Sequence, residues 1–277
     1  MNSPTVDQYA VFGDPIEHSK SPRIHTLFAQ QTQQNLHYHR EHVPADAFAT
    51  KVQQFFAQGG KGLNCTVPLK ELAWSYAQQL SERARLAKAV NTLKLLPDGQ
   101  VFGDNTDGIG LLNDLHNNGI TLAHSNVLIL GAGGATRGIL FPLLAELPQQ
   151  IVIANRTLAK AQNLVTDFAN PLLTASSFTD LADRQFDVII NATSASLSGA
   201  LPPLPASLLA TNGCCYDLAY ANQATSFVLW GQQQQARKSL DGLGMLVEQA
   251  AEAFYIWRGI RPETAAIIEL LNAERKS

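Results

Sequence analysis

Asn126-Val127-Leu128-Ile129-Leu130-Gly131-Ala132-Gly133-Gly134-Ala135-Thr136 decides the fold class. The run Val127 to Leu130 is apolar without alternation, which predicts a strand buried on both faces. It passes directly into a glycine turn, and Gly134 to Leu144 follows as a predicted helix. Strand, glycine turn and helix are the setting of the dinucleotide-binding fingerprint. The glycines let the backbone approach a pyrophosphate, and the helix N-terminus offers free amides at the positive end of its dipole. Thr136 occupies the place of the usual third glycine, so the match is imperfect. A tight strand-to-helix turn without a ligand is the competing reading.

Moving outward, Ile151 to Ala154, Asp187 to Ile190 and Gly213 to Tyr216 read as further strands. Leu158 to Phe168 reads as a helix between the first two. Apolar strands alternating with helices imply a parallel sheet covered on both faces. The second strand ends in Asn155-Arg156-Thr157, with Lys160 a turn into the next helix. NAD sites usually carry Asp or Glu here, to hold the ribose 2′-hydroxyl. This chain has no carboxylate there. Arg156 can clamp a 2′-phosphate and Lys160 adds a second positive charge, so NADP is expected rather than NAD. A water-exposed Arg at a turn is the bland alternative.

The N-terminal half has a different pattern. Tyr9 to Phe12 reads as a strand, and Ser21-Pro22 as a helix start with Ser21 as N-cap. Leu36 to His42 and Lys61 to Asn64 read as strands, with a helix from Ala45 to Gln58 between them. Asn91 to Leu96 and Gln100 to Phe102 form a predicted hairpin around Pro97-Asp98-Gly99. Leu243 to Trp257 and Pro262 to Leu271 read as two final helices. The expected architecture is α/β with two domains. Residues 1–106 plus 242–277 form the first, so the last helices return to it. Residues 107–241 form a Rossmann-type parallel-sheet domain.

Composition narrows the function. The chain has 277 residues, 45% of them apolar and 16% charged, with a net charge of −3. Such a chain is long enough to bury a core without staples and lacks the signature of disorder. There is no basic excess of the kind nucleic-acid binders carry. No apolar run reaches the ~20 residues of a membrane span. Met1 to Gln8 is polar, without a basic start or an apolar stretch, so no secretory signal is expected. Cys65, Cys214 and Cys215 make a poor disulfide framework. A cytoplasmic protein is therefore expected. His37, His39 and His42 have no matching cysteine or carboxylate cluster, and no metal is expected.

Three segments before the glycine loop are rich in small polar residues beside strand ends. The first is Gly13-Asp14-Pro15-Ile16-Glu17-His18-Ser19-Lys20-Ser21-Pro22. Ser19 and Ser21 could both bond one carboxylate, or Ser21 could simply cap the helix while Ser19 faces water. The second is Gly62-Leu63-Asn64-Cys65-Thr66-Val67-Pro68-Leu69-Lys70. The third is Ala89-Val90-Asn91-Thr92-Leu93 followed by Gly103-Asp104-Asn105-Thr106-Asp107-Gly108. A Lys and an Asp on separate loops can pair and hold a proton beside a carbonyl. Read singly, Lys70 is a surface lysine and Asp107 an N-cap.

Taken together and in this order, these segments resemble the shikimate dehydrogenase family. The resemblance extends through Asn155-Arg156-Thr157, Asn191-Ala192-Thr193-Ser194, Tyr216-Asp217-Leu218-Ala219-Tyr220 and Asp241-Gly242-Leu243-Gly244-Met245-Leu246 with Gln249. It implies reversible NADPH-dependent reduction of 3-dehydroshikimate to shikimate, in the pathway to chorismate and the aromatic amino acids. Lys70 and Asp107 are then the catalytic pair. Ser19, Ser21 and Tyr220 would grip the substrate carboxylate, and Asn64, Thr66, Asn91, Asp107 and Gln249 the rest of the substrate. Gly131, Ala132, Gly133, Gly134, Ala135, Asn155, Arg156, Thr157, Lys160, Thr193, Leu218 and Gly242 would line the NADP site. The partner is a small molecule, with no nucleic acid or membrane, and the enzyme is a monomer or homodimer.

The chain departs from the family pattern at Thr26, usually Asn, at Ser196, commonly Gly, and at Asn222, often Pro. Two other readings compete. One is an NAD-using shikimate or quinate dehydrogenase relative, which Arg156 and Lys160 oppose. The other is a non-catalytic module that senses NADP or a metabolite, which has no need of Lys70 with Asp107.

Overall fold

A computed structural model describes residues 6–205 and 207–275. Of the polar N-terminal stretch, Met1 to Thr5 lie outside the described residues. The chain divides into two compact units. One runs to Gly110 and includes Val247–Leu270; the other holds Leu111–Leu246 and the chain from Leu271. Among the described residues, no helix is long and apolar enough to cross a membrane.

The first unit is built on a mixed six-stranded sheet. Its strands are β1 (Asp7–Gly13), β2 (Leu36–His42), β3 (Gly60–Cys65), β4 (Gln79–Leu80), β5 (Thr92–Leu95) and β6 (Val101–Asp104), in the order β2-β1-β3-β5-β6-β4. Strands β2, β1 and β3 run parallel, β5 is antiparallel to both β3 and β6, and β4 is parallel to β6. The helices of this part are α1 (Ser21–Gln31), α2 (Phe48–Ala57), α3 (Lys70–Tyr76) and α4 (Glu82–Ala87).

Helix α1 begins one residue earlier than the sequence reading has it. Lys20, already in the right-handed helical region, is the N-cap and has no side-chain bond. Ser21 is therefore the first helical residue, and Pro22 follows it where no intrahelical N–H is needed. Ser19 does not simply face water: its Oγ accepts the Ser21 N–H at 3.3 Å. The helix buries Ile24, His25, Phe28 and Ala29, a single stripe at helical spacing.

The second unit is a fully parallel six-stranded sheet. Its strands are β7 (Asn126–Leu130), β8 (Gln150–Ala154), β9 (Leu173–Ser176), β10 (Phe186–Asn191), β11 (Leu209–Asp217) and β12 (Lys238–Leu240), in the order β12-β11-β10-β7-β8-β9. The chain winds outward from β7 through β9, then returns to β10 and winds the other way. Strands β7 and β10 therefore flank a topological switch point, where doubly wound sheets bind ligands.

The absence of alternation in these strands has a direct cause. Val127 and Ile129 feed one core with Ile151, Ile153, Val188 and Ile190. Leu128 and Leu130 feed the opposite core with Val152, Ala154 and Ile189. Both faces are covered, so every position is apolar. Helices α6 (Gly134–Ala145), α7 (Leu158–Phe168) and α8 (Ser226–Gln233) provide the cover, after α5 (Asp107–Asn117). Helices α9 (Leu243–Arg258) and α10 (Ala265–Glu274) complete the chain. The division between units falls inside α5, α9 and α10. Cys214 and Cys215 are buried in β11, and burial pushes the Cys215 thiol up to about 12.

Candidate active site

Polar residues gather where three strands of the first sheet end. Because β5 runs against β3 and β6, its start lies beside their finish. The register sets Asn64 opposite Thr92, and Thr92 opposite Asp104. The residues that follow or precede those strands are therefore brought to one edge. After β3 the chain passes Thr66 and reaches Lys70 at the start of α3, with the buried Leu69 as its N-cap. Before β5 stands Asn91, and after β6 come Asn105, Thr106 and Asp107. Backbone bonds from Cys65 N–H to the Asn91 carbonyl and from Val90 N–H to the Lys70 carbonyl, both at 2.9 Å, hold these loops together.

Lys70 Nζ donates to Asp107 Oδ2 at 2.5 Å, and both side chains are part-buried. Asp107 is the first residue of α5 and does not act as its cap: its carboxylate is spent on Lys70 and on Asn91 Nδ2, which donates to Oδ1 at 2.8 Å. The nearby Asn105 Oδ1 accepts the Asp107 N–H instead, at 3.1 Å. Asn91 is 3% exposed, and its own Oδ1 accepts from the Thr106 N–H at 3.0 Å and the Thr92 hydroxyl at 2.9 Å. Gln249, from α9, accepts weakly from Asn91 and Thr106, each at 3.4 Å. Lys70, Asn91, Asp107, Thr106 and Gln249 are thus one cluster.

Asp104, in the same motif as Asp107, has another task. Arg83 makes a two-pronged bond to its carboxylate, both distances 2.7 Å, and also reaches Glu252 at 2.9 Å. Asp104 is 4% exposed and paired, so it builds the wall rather than facing a ligand. Thr26 is exposed, and its hydroxyl donates back along its own helix to the Pro22 carbonyl at 2.8 Å.

The second unit carries an open cleft of about 700 Å³ at the β7–β10 switch point. The glycine turn Gly131 to Ala135, the Asn155-Arg156-Thr157 stretch, Lys160 and Thr193 all line it. Gly131 has φ +102°, a conformation side chains rarely adopt, and a Cβ there would sit 3.1 Å from the Ala192 carbonyl oxygen. Gly133 and Gly134 face open space: a Cβ would meet nothing within 4 Å. Thr136 explains its own presence. It is fully buried, and its hydroxyl donates to the Gly131 carbonyl at 2.8 Å, tying the turn to the helix. No carboxylate is found among the described residues lining the cleft, and Arg156 and Lys160 are exposed at it. An anionic, phosphate-bearing dinucleotide fits these donors and this charge.

Leu218 and Gly242 do not line that cleft. They meet one another, since a Cβ on Gly242 would lie 2.2 Å from the Leu218 carbonyl oxygen. Tyr220 also belongs to the second unit, and burial raises its phenol pKa, with the Asp241 carboxylate adding to the shift.

Sequence reading assigned no role to Asn191, Asp217 or Ser196, which together hold the cleft wall. Asn191 Nδ2 donates to Ser196 Oγ at 2.9 Å and to Asp217 Oδ1 at 3.0 Å. Asn191 Oδ1 accepts from the Thr193 hydroxyl at 2.7 Å. Asp217 is fully buried and also accepts from Thr225 at 2.6 Å and the Ala219 N–H at 3.1 Å. Burial raises its pKa while these donors pull it back down. Ser196, where the family commonly has Gly, thus adds a hydroxyl to this knot. Tyr38 and Thr92 were likewise passed over: each looks like an ordinary strand residue until its partners are known.

Comparison with known proteins agrees with this geometry. Residues 11–93 match the shikimate dehydrogenase substrate binding domain, residues 114–198 the shikimate / quinate 5-dehydrogenase model, and residues 242–271 the shikimate 5′-dehydrogenase C-terminal domain. The chain is 62% identical over 273 residues to the shikimate dehydrogenase (NADP(+)) of Methylococcus capsulatus, covering 98% of each. The chain belongs to the shikimate dehydrogenase family. Within that family its fold matches shikimate 5-dehydrogenase from Thermus thermophilus, solved in complex with NADP(H) and shikimate, with a TM-score of 0.87 and 31% identity over 98% of this chain and 99% of that one. A crystal structure of an Ael1 enzyme from Pseudomonas putida gives a TM-score of 0.91 at 49% identity, covering 96% and 98%.

Proposed function

We propose that this chain catalyses the reversible NADPH-dependent reduction of 3-dehydroshikimate to shikimate. The observation that carries the reading is the half-buried Lys70–Asp107 pair at 2.5 Å, with Asp107 held by Asn91. The first unit binds shikimate and the second binds NADP. Ser19 and Ser21 hold the substrate carboxylate; Thr66, Asn91, Asp107 and Gln249 hold its ring hydroxyls, with Asn64 also in the substrate site. Gly131 to Ala135 take the pyrophosphate on backbone amides, Asn155 to Thr157 and Lys160 take the adenosine end with its 2′-phosphate, and Thr193, Leu218 and Gly242 complete the site.

When bound, NADPH supplies the hydride for the C3 carbonyl carbon. Lys70, as the ammonium, hydrogen-bonds the carbonyl oxygen and gives it a proton as negative charge develops there, leaving a neutral amine that solvent reprotonates. A donor already in place is most effective where its bond strengthens with that charge. Asp107 keeps the ammonium aimed, and Asn91 keeps Asp107 aimed. The enzyme works on a small molecule in the cytoplasm, as a monomer or homodimer.

The test is loss of absorbance at 340 nm with purified protein, 3-dehydroshikimate, and NADPH or NADH in parallel. Rapid loss with NADPH and little with NADH is expected. Equal use of NADH would defeat the role of Arg156 and point to a quinate-type relative. No turnover from folded protein would leave a sensing module as the function.

A further inference from the structure

Phe178 is the one aromatic side chain among the described residues that line the cleft of the second unit, and it belongs to none of the sets assigned above. It is part-buried. It packs against the core that holds Leu181, Phe186 and Leu208, and it also borders the cleft. Backbone amides and cations suit phosphates, but they do not account for an aromatic ring at the same cleft.

The sheet fixes where Phe178 stands. Strands β8 and β9 run parallel with Ala154 paired to Ser176, and the Asn155 N–H donates to the Ser176 carbonyl at 3.2 Å. Arg156 and Phe178 each lie two residues beyond that pair, so they leave neighbouring strand ends at one edge of the sheet. The loop that carries Phe178 is braced across it: Ser177 Oγ accepts the Asp180 N–H at 3.2 Å and donates to the Asp180 carboxylate at 2.6 Å. Just beyond, Thr179–Leu181 form one turn of 3-10 helix that ends on the fully buried Leu181.

A doubly wound sheet binds a dinucleotide across its switch point, one nucleotide to each side. On the proposed function the turn after β7 takes the pyrophosphate, and Arg156 after β8 takes the 2′-phosphate. The base attached to that ribose therefore belongs on the β8–β9 side, which is where Phe178 stands. A purine is flat with two π faces, and it stacks on an aromatic ring without any hydrogen bond. The apolar lining continues through Pro202 and Pro203, and the next residue, Leu204, packs against the same core as Phe178.

We propose that Phe178 is a cofactor-binding residue that stacks on the adenine ring, and that it contributes affinity whether or not the 2′-phosphate is present. The proposal rests on the reading of the second unit as the NADP site. It divides the work at two strand ends: Arg156 reads the phosphate and Phe178 holds the base. A loss at Phe178 therefore falls equally on NADP and NAD.

The experiment is equilibrium binding to the whole chain, by calorimetry, with adenosine 2′,5′-bisphosphate, NADP and NAD as probes. Phe178→Ala should raise Kd about tenfold for all three, as the loss of one base–aromatic stack. Phe178→Tyr, which keeps the ring, should stay within about twofold of wild type. Phe178→Leu, which keeps apolar bulk against the core but has no π face, should lose about fivefold. Proton NMR gives a signature that a purely structural role would not move. The adenine H2 and H8 of the bound bisphosphate should shift upfield and show Overhauser contacts to a phenylalanine ring, and both effects should vanish in Phe178→Leu. Unchanged Kd in folded Phe178→Ala overturns the proposal, as does a loss confined to ligands with a 2′-phosphate. Should Phe178→Ala fail to fold, unchanged Kd and unchanged adenine shifts in Phe178→Leu overturn it instead. A folded wild type that binds none of the probes removes the reading of the cleft and this proposal together; a wild type that binds, with variants that bind equally well, removes only the proposal.

Discussion

The Lys70–Asp107 cluster and the glycine cleft are built in opposite ways. In the cluster, side chains satisfy one another: Asn64, Asn91, Thr92, Thr106 and Asp107 are joined by bonds of 2.8–3.2 Å and most are buried. In the cleft the lining includes a backbone turn and two exposed cations, and the side-chain knot of Asn191, Asp217 and Ser196 lies behind the wall. The difference follows from what each must do. On the proposed function the cluster transfers a proton, which needs a donor fixed to a fraction of an ångström, and its mutual bonds suit that. Holding a pyrophosphate needs amides and positive charge, which an open turn provides without prior pairing.

If that contrast is right, damage to the cluster should strike turnover and damage to the cleft should strike affinity. The largest effect is expected at Lys70. Lys70→Ala should lower kcat by about a thousandfold with little change in the KM for 3-dehydroshikimate. A change confined to KM would make Lys70 a binding group and erase the contrast. Next is Arg156→Ala, which should raise the KM for NADPH about thirtyfold while leaving kcat and the KM for NADH alone, as befits the loss of charge-assisted bonds. Parallel steady-state titrations with the two cofactors read this directly; an equal rise for both would place Arg156 elsewhere than at a 2′-phosphate.

Acid should sharpen the comparison in a third way, because the first unit buries a neutral histidine. His25 binds a proton near pH 6.5 when unfolded but only near 3 when folded. Below pH 6.5 the unfolded chain therefore holds more protons, and stability present at neutral pH is lost as the pH falls toward 3. At about 1.4 kcal/mol per pH unit, the loss by pH 5 is about 2 kcal/mol. Urea melts at pH 7 and pH 5 should show it for the wild type and show less of it for His25→Phe; an unchanged slope in the variant would assign the loss to other groups. The smallest effect is expected at Ser196. Ser196→Gly removes one member of the knot behind the cleft and should raise the KM for NADPH about threefold with kcat unchanged. A fall in kcat instead would show that the cleft wall also sets the chemistry.

Some of this was readable in the chain alone. The unalternating strand Val127 to Leu130 announced a sheet covered on both faces, because two cores demand apolar residues at every position. The glycine turn, Arg156 and Lys160, which line the second unit's cleft, were legible for a similar reason: a turn and the charges beside it are written in nearby residues. Short edge strands were not legible. Strands β4, β9 and β12 are two to four residues long, too brief for a pattern to show.

The cluster was legible only in part. Lys70, Asn91 and Asp107 could be named from their segments, but Lys70 and Asp107 also had ordinary readings, as a surface lysine and a cap. What removed the ordinary readings was β5 running against β3 and β6, which sets three distant segments at one edge. Tyr38 and Ser196 lay beyond reach of sequence reading, since a lone tyrosine or serine carries no sign of the partner it will find. Local composition and periodicity determined the parallel sheet, the glycine turn and the charge of the second unit's cleft, because those depend on residues near one another in the chain. Tertiary structure alone decided which polar groups donate to which, because hydrogen-bond direction is set by neighbours far away in the chain, as Gln249 is, 158 residues from Asn91.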